Sequence, residues 1–147
     1  MSLLDDAEII AIQVERVYQR RRIIIRGKKA RRQEPQQRVV VEAIRLADRE
    51  GVDGLSMRRL AGALGAGVMS LYHYVKSRDE LLDAMIDLVF EEIELPPEGT
   101  DWQTAMRRRS ESARQVLARH RWAIGLMDSR TSPGPAHLRH REAVTEC

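Results

Sequence analysis

Two short apolar segments on either side of a glycine-rich break constrain the fold more than any other feature of this sequence. The break is Gly65-Ala66-Gly67, and Ser56, a residue type that caps helix N-termini, precedes the first segment. Two helices that cross closely need small side chains at the crossing, and Ala61 and Gly65 meet that need. The apolar residues that we expect to form the shared core are Leu60, Leu64, Val68 and Leu71. The pattern predicts a helix-turn-helix, whose second helix offers its remaining side chains to the major groove of DNA.

The remainder of the chain also favours helices. Only 4% of the residues are aromatic, and Ala, Leu, Arg and Glu dominate, a composition that favours helices over a sheet. Ser77 with Glu80 three residues later forms a capping box, Asp101 is a further cap, and Pro35 suits the first turn of a helix. The predicted helices cover about residues 3–19, 36–50, 57–64, 68–74, 78–94, 102–120, 122–128 and 135–144. We therefore expect an all-α protein.

A basic stretch precedes the predicted helix-turn-helix. From Arg16 to Arg38 the sequence holds ten Arg or Lys residues and one acid, Glu34. We interpret residues 20–37 as an arm or linker that either meets a polyanion or remains a solvated charge run. The arm residues predicted to enter the minor groove or line the phosphates are Lys28, Lys29, Arg31 and Arg32. RNA is a less suitable partner, because no aromatic residues alternate with these charges to stack on bases.

The central part of the sequence, about residues 38–85, resembles the TetR family of bacterial transcriptional repressors. The residues that carry the resemblance are Ser56, Leu60-Ala61, Gly65-Ala66, Leu71-Tyr72, His73-Tyr74-Val75 and Arg78-Asp79-Glu80-Leu81. The stretches 54–61 and 71–76 are most similar to the tetracycline-repressor branch. Ala66, Val75 and Arg78 depart from the family pattern but preserve apolarity or charge. Weaker similarity over 101–102 and 126–135 resembles the start of the effector domain of that family.

The resemblance implies DNA contacts at matching positions. Arg58 is expected to read a guanine edge or else to contact a phosphate, and Met69 or Val68 to meet a thymine methyl, unless Val68 belongs to the core. Ser70, Tyr72 and Arg78 are phosphate candidates. The expected contacts from this part of the chain are Arg58, Val68, Met69, Ser70, Tyr72, His73, Tyr74, Lys76 and Arg78.

The expected architecture is a three-helix DNA-binding domain followed by an incomplete helical effector and dimerisation domain. We divide the chain into an N-terminal helix and basic arm (1–34), the helix-turn-helix domain with its connecting helix (35–95) and a truncated effector domain (96–147). Trp102, Met106, Trp122 and Met127 either line a small-molecule pocket or belong to an ordinary core. The family's further long helices have no counterpart here, so we expect a homodimer only if other segments replace them.

The expected function is a ligand-responsive repressor that reads a pseudo-palindromic operator in double-stranded DNA in the bacterial cytoplasm, at the nucleoid. The alternatives are a helical protein-interaction module and an inactive truncated regulator that binds DNA only non-specifically. No enzyme or cofactor is expected, since the sequence has no phosphate-binding glycine loop and no nucleophile elbow. No membrane span is expected either, because apolar stretches such as Ile23-Ile24-Ile25 are far too short to cross a bilayer. A metal site is also not expected, although His120, His137, His140 and Cys147 are potential ligands, because Arg139 and Arg141 oppose a cation.

Overall fold

The computed structural model describes residues 30–130 and 133–145, with side chains described from residue 35 onward. The chain divides into two compact units, Met1–Pro35 and Gln36–Cys147, and nearly all of the described residues belong to the second. The α-helices are α1 (Ala30–Glu50), α2 (Met57–Leu64), α3 (Val68–Tyr72), α4 (Arg78–Glu92), α5 (Trp102–Arg119), α6 (Arg121–Met127) and α7 (Pro135–Thr145), and a short 3-10 helix covers Val52–Gly54. The described part of the chain contains no strand, so the all-α prediction is confirmed.

The start of α1 differs from the prediction. The helix begins at Ala30 rather than near Gln36, so the end of the predicted arm is helical and Pro35 lies inside the helix. Residues 30–34 are Ala-Arg-Arg-Gln-Glu, all strong helix formers, and they outweigh the one backbone hydrogen bond that a proline cannot donate. Arg31 and Arg32 therefore belong to the first turns of α1. The helix predicted over 3–19, together with Lys28 and Lys29, lies outside the described residues.

Three predicted caps are confirmed. Ser56 Oγ accepts the N–H of Arg59 at 3.1 Å, and Asp101 Oδ1 accepts the N–H of Thr104 at 3.0 Å. Ser77 Oγ accepts the N–H of Glu80 at 3.1 Å. In the capping box the Glu80 carboxylate accepts the N–H of Lys76, at 3.0 Å, instead of that of the cap residue. These side chains satisfy N–H groups that the first turn of each helix leaves without a backbone partner.

The core consists of two apolar clusters that meet along α4. The first joins α1, α2 and α3 to the start of α4, where Leu81, Leu82 and Met85 are buried. The second joins the later part of α4, including Val89 and Phe90, to α5, α6 and α7. The helix α4 therefore contributes buried residues to each cluster, and it connects the helix-turn-helix to the C-terminal half. No helix among the described residues is long and apolar enough to cross a membrane.

Candidate nucleic-acid interface

The turn between α2 and α3 is built by glycine conformation. Gly65 adopts φ 63° and ψ 30°, the left-handed region that ends helices and favours glycine. The N–H of Ala66 donates to Ala61 O at 3.0 Å across this turn, and Gly67 then precedes the first residue of α3 in an extended conformation. A Cβ at Gly65 would meet no heavy atom within 4 Å. The prediction that Gly65 provides space for a helix crossing is therefore wrong, because the position needs its positive φ and not its small size.

The inner side of the helix-turn-helix is packed as predicted. Leu60 and Leu71 are buried, and Leu64 and Val68 are half-buried against the same cluster. Val75, which follows α3, is also buried. Val68 therefore contributes to the core, the second of the two roles considered for it, and its contact with DNA stays a prediction.

The outer side of α3 and its flanks is exposed. Met69 is 78% exposed, so its side chain is available for a contact outside the protein. Tyr72 and Tyr74 expose about two fifths of their surface, with relative exposures of 43% and 40%. The other predicted contacts on this part of the chain that are exposed are Arg58, Ser70, His73, Lys76 and Arg78. The surface thus combines hydroxyl, imidazole, cationic and apolar groups, the mixture that base edges and phosphates require.

Arg78 has a structural role that the sequence did not indicate. Its Nε donates to Leu55 O at 3.2 Å, and its Nη2 donates to Val52 O at 3.0 Å. Both carbonyls lie between α1 and α2, so Arg78 fastens the start of α4 to the segment that leads into the helix-turn-helix. A planar guanidinium makes two such directed bonds, whereas a lysine ammonium is a single point charge. Its contact with a phosphate stays a prediction.

Arg59, the neighbour of Arg58, is paired within the protein. Its Nη2 lies 2.5 Å from Glu50 Oε2, at the end of α1. This ion pair links α2 to α1, and it distinguishes the two adjacent arginines. Arg58 is exposed and forms no ion pair with any other described residue, so its side chain is available for the predicted base contact.

The first turns of α4 are also tied to the segment after α6. Arg130 Nη1 donates to Asp79 O at 2.9 Å and to Asp83 Oδ1 at 2.7 Å, and its Nη2 donates to Asp79 Oδ1 at 3.0 Å. Further along α4, Asp87 Oδ1 accepts the N–H groups of Ala136 and His137 at 2.9 and 3.2 Å. A carboxylate from α4 therefore caps the N-terminus of α7.

A polar cluster around the buried His120 connects α1 to the C-terminal half. His120, between α5 and α6, is 1% exposed, with Nδ1 2.8 Å from Asp48 Oδ1 and Nε2 3.2 Å from both oxygens of Glu92. Arg119 Nη2 lies 3.0 Å from Glu92 Oε2, and Trp122 Nε1 donates to Asp48 Oδ1 at 2.6 Å. Burial alone would lower the pKa of His120, but the hydrogen bonds and charges of the two carboxylates raise it to about 9. Burial opposes ionisation of Glu92, yet His120 and Arg119 together lower its pKa.

The residues predicted to line a pocket occupy different environments. Trp102 is 59% exposed, Met106 is half-buried, and Trp122 contacts both apolar clusters. Met127 lines a recess together with Phe90, whose ring stacks on His137 at 4.4 Å between centroids. Their shared role in binding a ligand stays a prediction. In residues 30–130 and 133–145, no three His, Cys, Asp or Glu side chains are placed to hold a metal ion.

Two family matches cover most of the described helices. The family of bacterial regulatory proteins called tetR matches residues 39–85, which include α2, the turn and α3. The tetracyclin repressor-like C-terminal domain matches residues 95–146, which include α5 to α7. The resemblance in the sequence motif is therefore confirmed, and it extends into the C-terminal half.

Individual relatives are regulators of the same kind. DrrR1 from Streptomyces coeruleorubidus, an HTH-type transcriptional repressor, is 41% identical over 109 residues, which are 73% of this chain and 40% of DrrR1. The class D tetracycline repressor protein from Escherichia coli is 36% identical over 86 residues, 56% of this chain and 39% of the repressor. Apo ActR from Streptomyces coelicolor superposes with a TM-score of 0.69 at 39% identity, over 76% of this chain and 54% of ActR, and ActR has also been solved with actinorhodin. The chain thus spans less than half of these curated repressors.

Proposed function

The chain belongs to the tetR family of bacterial regulatory proteins, and on this premise we propose that it is a DNA-binding transcriptional repressor. The observation that carries the proposal is the surface of α3, which buries Leu71 and leaves Met69, Tyr72 and their neighbours exposed. A recognition helix needs this division, because one face must be held by the core while the other reaches base edges. Such a repressor acts on chromosomal DNA, in the bacterial cytoplasm at the nucleoid.

The proposed contacts divide into base reading and positioning. Arg58 reads a guanine through O6 and N7, a bidentate contact worth about 1–3 kcal/mol of discrimination. Met69, rather than Val68, contacts a thymine methyl, because Val68 packs against the apolar core. Tyr72, through its hydroxyl, and Lys76, through its ammonium, contact phosphates and set the register of α3 in the major groove.

We propose further that a small molecule and a second copy of the chain take part. The relative ActR has been solved in complex with actinorhodin, and this supports a ligand-binding role for the C-terminal half. Because α4 shares residues with both apolar clusters, a ligand that moves α5 to α7 would tilt α4 and displace α3. A homodimer would place two α3 helices on a pseudo-palindrome, with half-sites about one helical turn apart. This function requires no catalysis.

The competing functions are non-specific DNA binding and a helical protein-interaction module. Both predict that the exposed side chains of α3 do not discriminate between base pairs. The exposed guanidinium of Arg58 favours sequence reading, because it can form two hydrogen bonds to one guanine edge.

Selection of bound duplexes from a randomised DNA pool tests the proposal. The parent chain, Arg58→Ala and the control Arg114→Ala, which changes an exposed arginine on α5, are run in parallel. We expect the parent and the control to enrich the same inverted repeat, and Arg58→Ala to relax it at one base pair in each half-site. Enrichment of no sequence, with salt-sensitive binding to any duplex, would leave only non-specific binding. No binding to any duplex would reject DNA binding altogether.

A further inference from the structure

The geometry around His120 determines the charge of its ring. Nδ1 faces Asp48 Oδ1 at 2.8 Å, and Nε2 faces the carboxylate of Glu92 at 3.2 Å. An ionised carboxylate oxygen only accepts hydrogen bonds, so each ring nitrogen must carry a hydrogen. A neutral imidazole has one hydrogen and would direct a nitrogen lone pair at one of the two carboxylates. His120 is therefore a buried imidazolium cation.

The surrounding charges balance only when His120 is protonated. The cluster contains two carboxylates, Asp48 and Glu92, and two cations, Arg119 and His120. Glu92 has both cations as neighbours, so it keeps a partner if His120 loses its proton. Asp48 would keep only the neutral N–H of Trp122, at 2.6 Å. The Asp48 side chain is 22% exposed, so water would solvate it in part, but a partly buried carboxylate that loses its cation is still destabilised.

The four residues that surround His120 come from different parts of the fold. Asp48 is in the last turn of α1, Glu92 ends α4, Arg119 ends α5, and Trp122 is in α6. His120 and Trp122 converge on the same Asp48 oxygen, and their rings meet edge to face at 6.1 Å between centroids. The helix α1 also packs against α2 and α3 in the first apolar cluster. A shift of α1 at Asp48 therefore changes the orientation of α2 and α3.

We propose that the His120 cation is a positioning residue for DNA binding, which holds α1 through Asp48 to the α4–α5–α6 junction and thereby fixes the orientation of the helix-turn-helix. The link to DNA affinity rests on the proposed function, whereas the link between α1 and the junction does not. A change at the α5–α6 junction then reaches α1 directly, in addition to any movement of α4. Loss of the charge releases Asp48 and removes this link between α1 and the junction, while α4 still connects the two halves.

The coupling is tested first without DNA, by hydrogen exchange in a double-mutant cycle of His120→Gln and Asp48→Asn. We expect His120→Gln to accelerate exchange in residues 36–50 about tenfold, with a smaller effect in the control Glu42→Gln, which changes another α1 carboxylate. In the Asp48→Asn background, His120→Gln should accelerate exchange only slightly further, because the carboxylate that pairs with His120 is absent. Multiplicative effects of the two changes, or acceleration confined to α5 and α6, would overturn the proposal. If His120→Gln does not fold, Asp48→Asn and its response to pH replace it.

The second test measures affinity for the duplex that the parent selects. We expect the affinity of the parent to be constant from pH 6 to 8 and to decrease progressively toward pH 10. The decrease should be larger than any decrease in the affinity of His120→Gln over the same range. At pH 7, His120→Gln should bind about tenfold more weakly than the parent. Equal pH profiles for the two proteins would reject the role of the charge in DNA binding. Failure of the parent to bind any duplex would reject the proposed function, and the exchange cycle would still decide whether His120 couples α1 to the junction.

Discussion

Arg130 donates hydrogen bonds to both the main chain and the side chain of Asp79, at 2.9 Å to the carbonyl oxygen and 3.0 Å to Oδ1. Asp79 lies in the first turn of α4, two positions after the cap residue Ser77, and Arg130 lies beyond α6. The guanidinium also reaches Asp83, one turn further along α4. The C-terminal half is thus attached close to the helix-turn-helix, and any shift of the segment after α6 acts on the beginning of α4.

Replacement of Arg130 by Met should destabilise the protein by about 1 kcal/mol, since Asp83 loses its partner but Asp79 is exposed enough to be solvated. The measurement is urea unfolding followed by tryptophan fluorescence. Arg114→Met, on the exposed side of α5, serves as the control and should change the free energy of unfolding by less than about 0.5 kcal/mol. Equal stability of the two variants would show that the Arg130 bonds contribute nothing.

Gly65→Ala and Gly62→Ala should have opposite effects on stability. Neither added Cβ meets a heavy atom within 4 Å, so the two positions differ in backbone conformation alone. Gly65 has φ 63°, and alanine there should cost about 1–2 kcal/mol. Gly62 lies inside α2, where alanine should stabilise by about 0.5–1 kcal/mol. Thermal unfolding of both variants tests the pair, and a stabilising Gly65→Ala would contradict the assignment of the turn.

Stability should fall as the pH rises toward 10, because His120 loses its proton. The folded protein raises the pKa of this ring from 6.5 to about 9, so protonation favours the folded state. Its contribution is complete below pH 6.5 and is lost as the pH rises through 9, by an amount on the order of 3 kcal/mol. Urea unfolding at pH 6, 8 and 10 should reveal this loss in the parent, and a smaller loss in His120→Gln. The same loss in both proteins would assign the effect to other groups.

Met69→Ala and Lys76→Ala should alter DNA binding in different ways. Met69 is proposed to read a base, so its truncation should reduce the preference for one base pair and leave the salt dependence unchanged. Lys76 is proposed to contact a phosphate, so its loss should weaken binding to all sequences and reduce the slope of log K against log salt by about 1. Titrations of matched and single-mismatch duplexes at several salt concentrations separate the two roles. A changed salt slope in Met69→Ala, or changed base preference in Lys76→Ala, would contradict these assignments.

Features that depend on residues close together in the chain were predictable from the sequence. The caps at Ser56, Ser77 and Asp101 were predictable because each hydrogen bond joins residues three positions apart. The apolar spacing around the glycine turn likewise predicted which side of α2 and α3 is buried, and the motif indicated the family. At Pro35 the local rule was wrong, because good helix formers on its N-terminal side extend α1 through it.

The contacts between polar residues that are distant in the sequence became visible only in the folded chain. His120 and Asp48 are 72 positions apart, Arg130 and Asp79 are 51 apart, and Asp87 caps a helix that begins 48 residues later, at Pro135. An isolated Asp or Arg in the sequence has no pattern that names its partner, because the partner is set by how the helices pack. The sequence therefore predicted the surface proposed to bind DNA, whereas packing alone decided how that surface is joined to the C-terminal half.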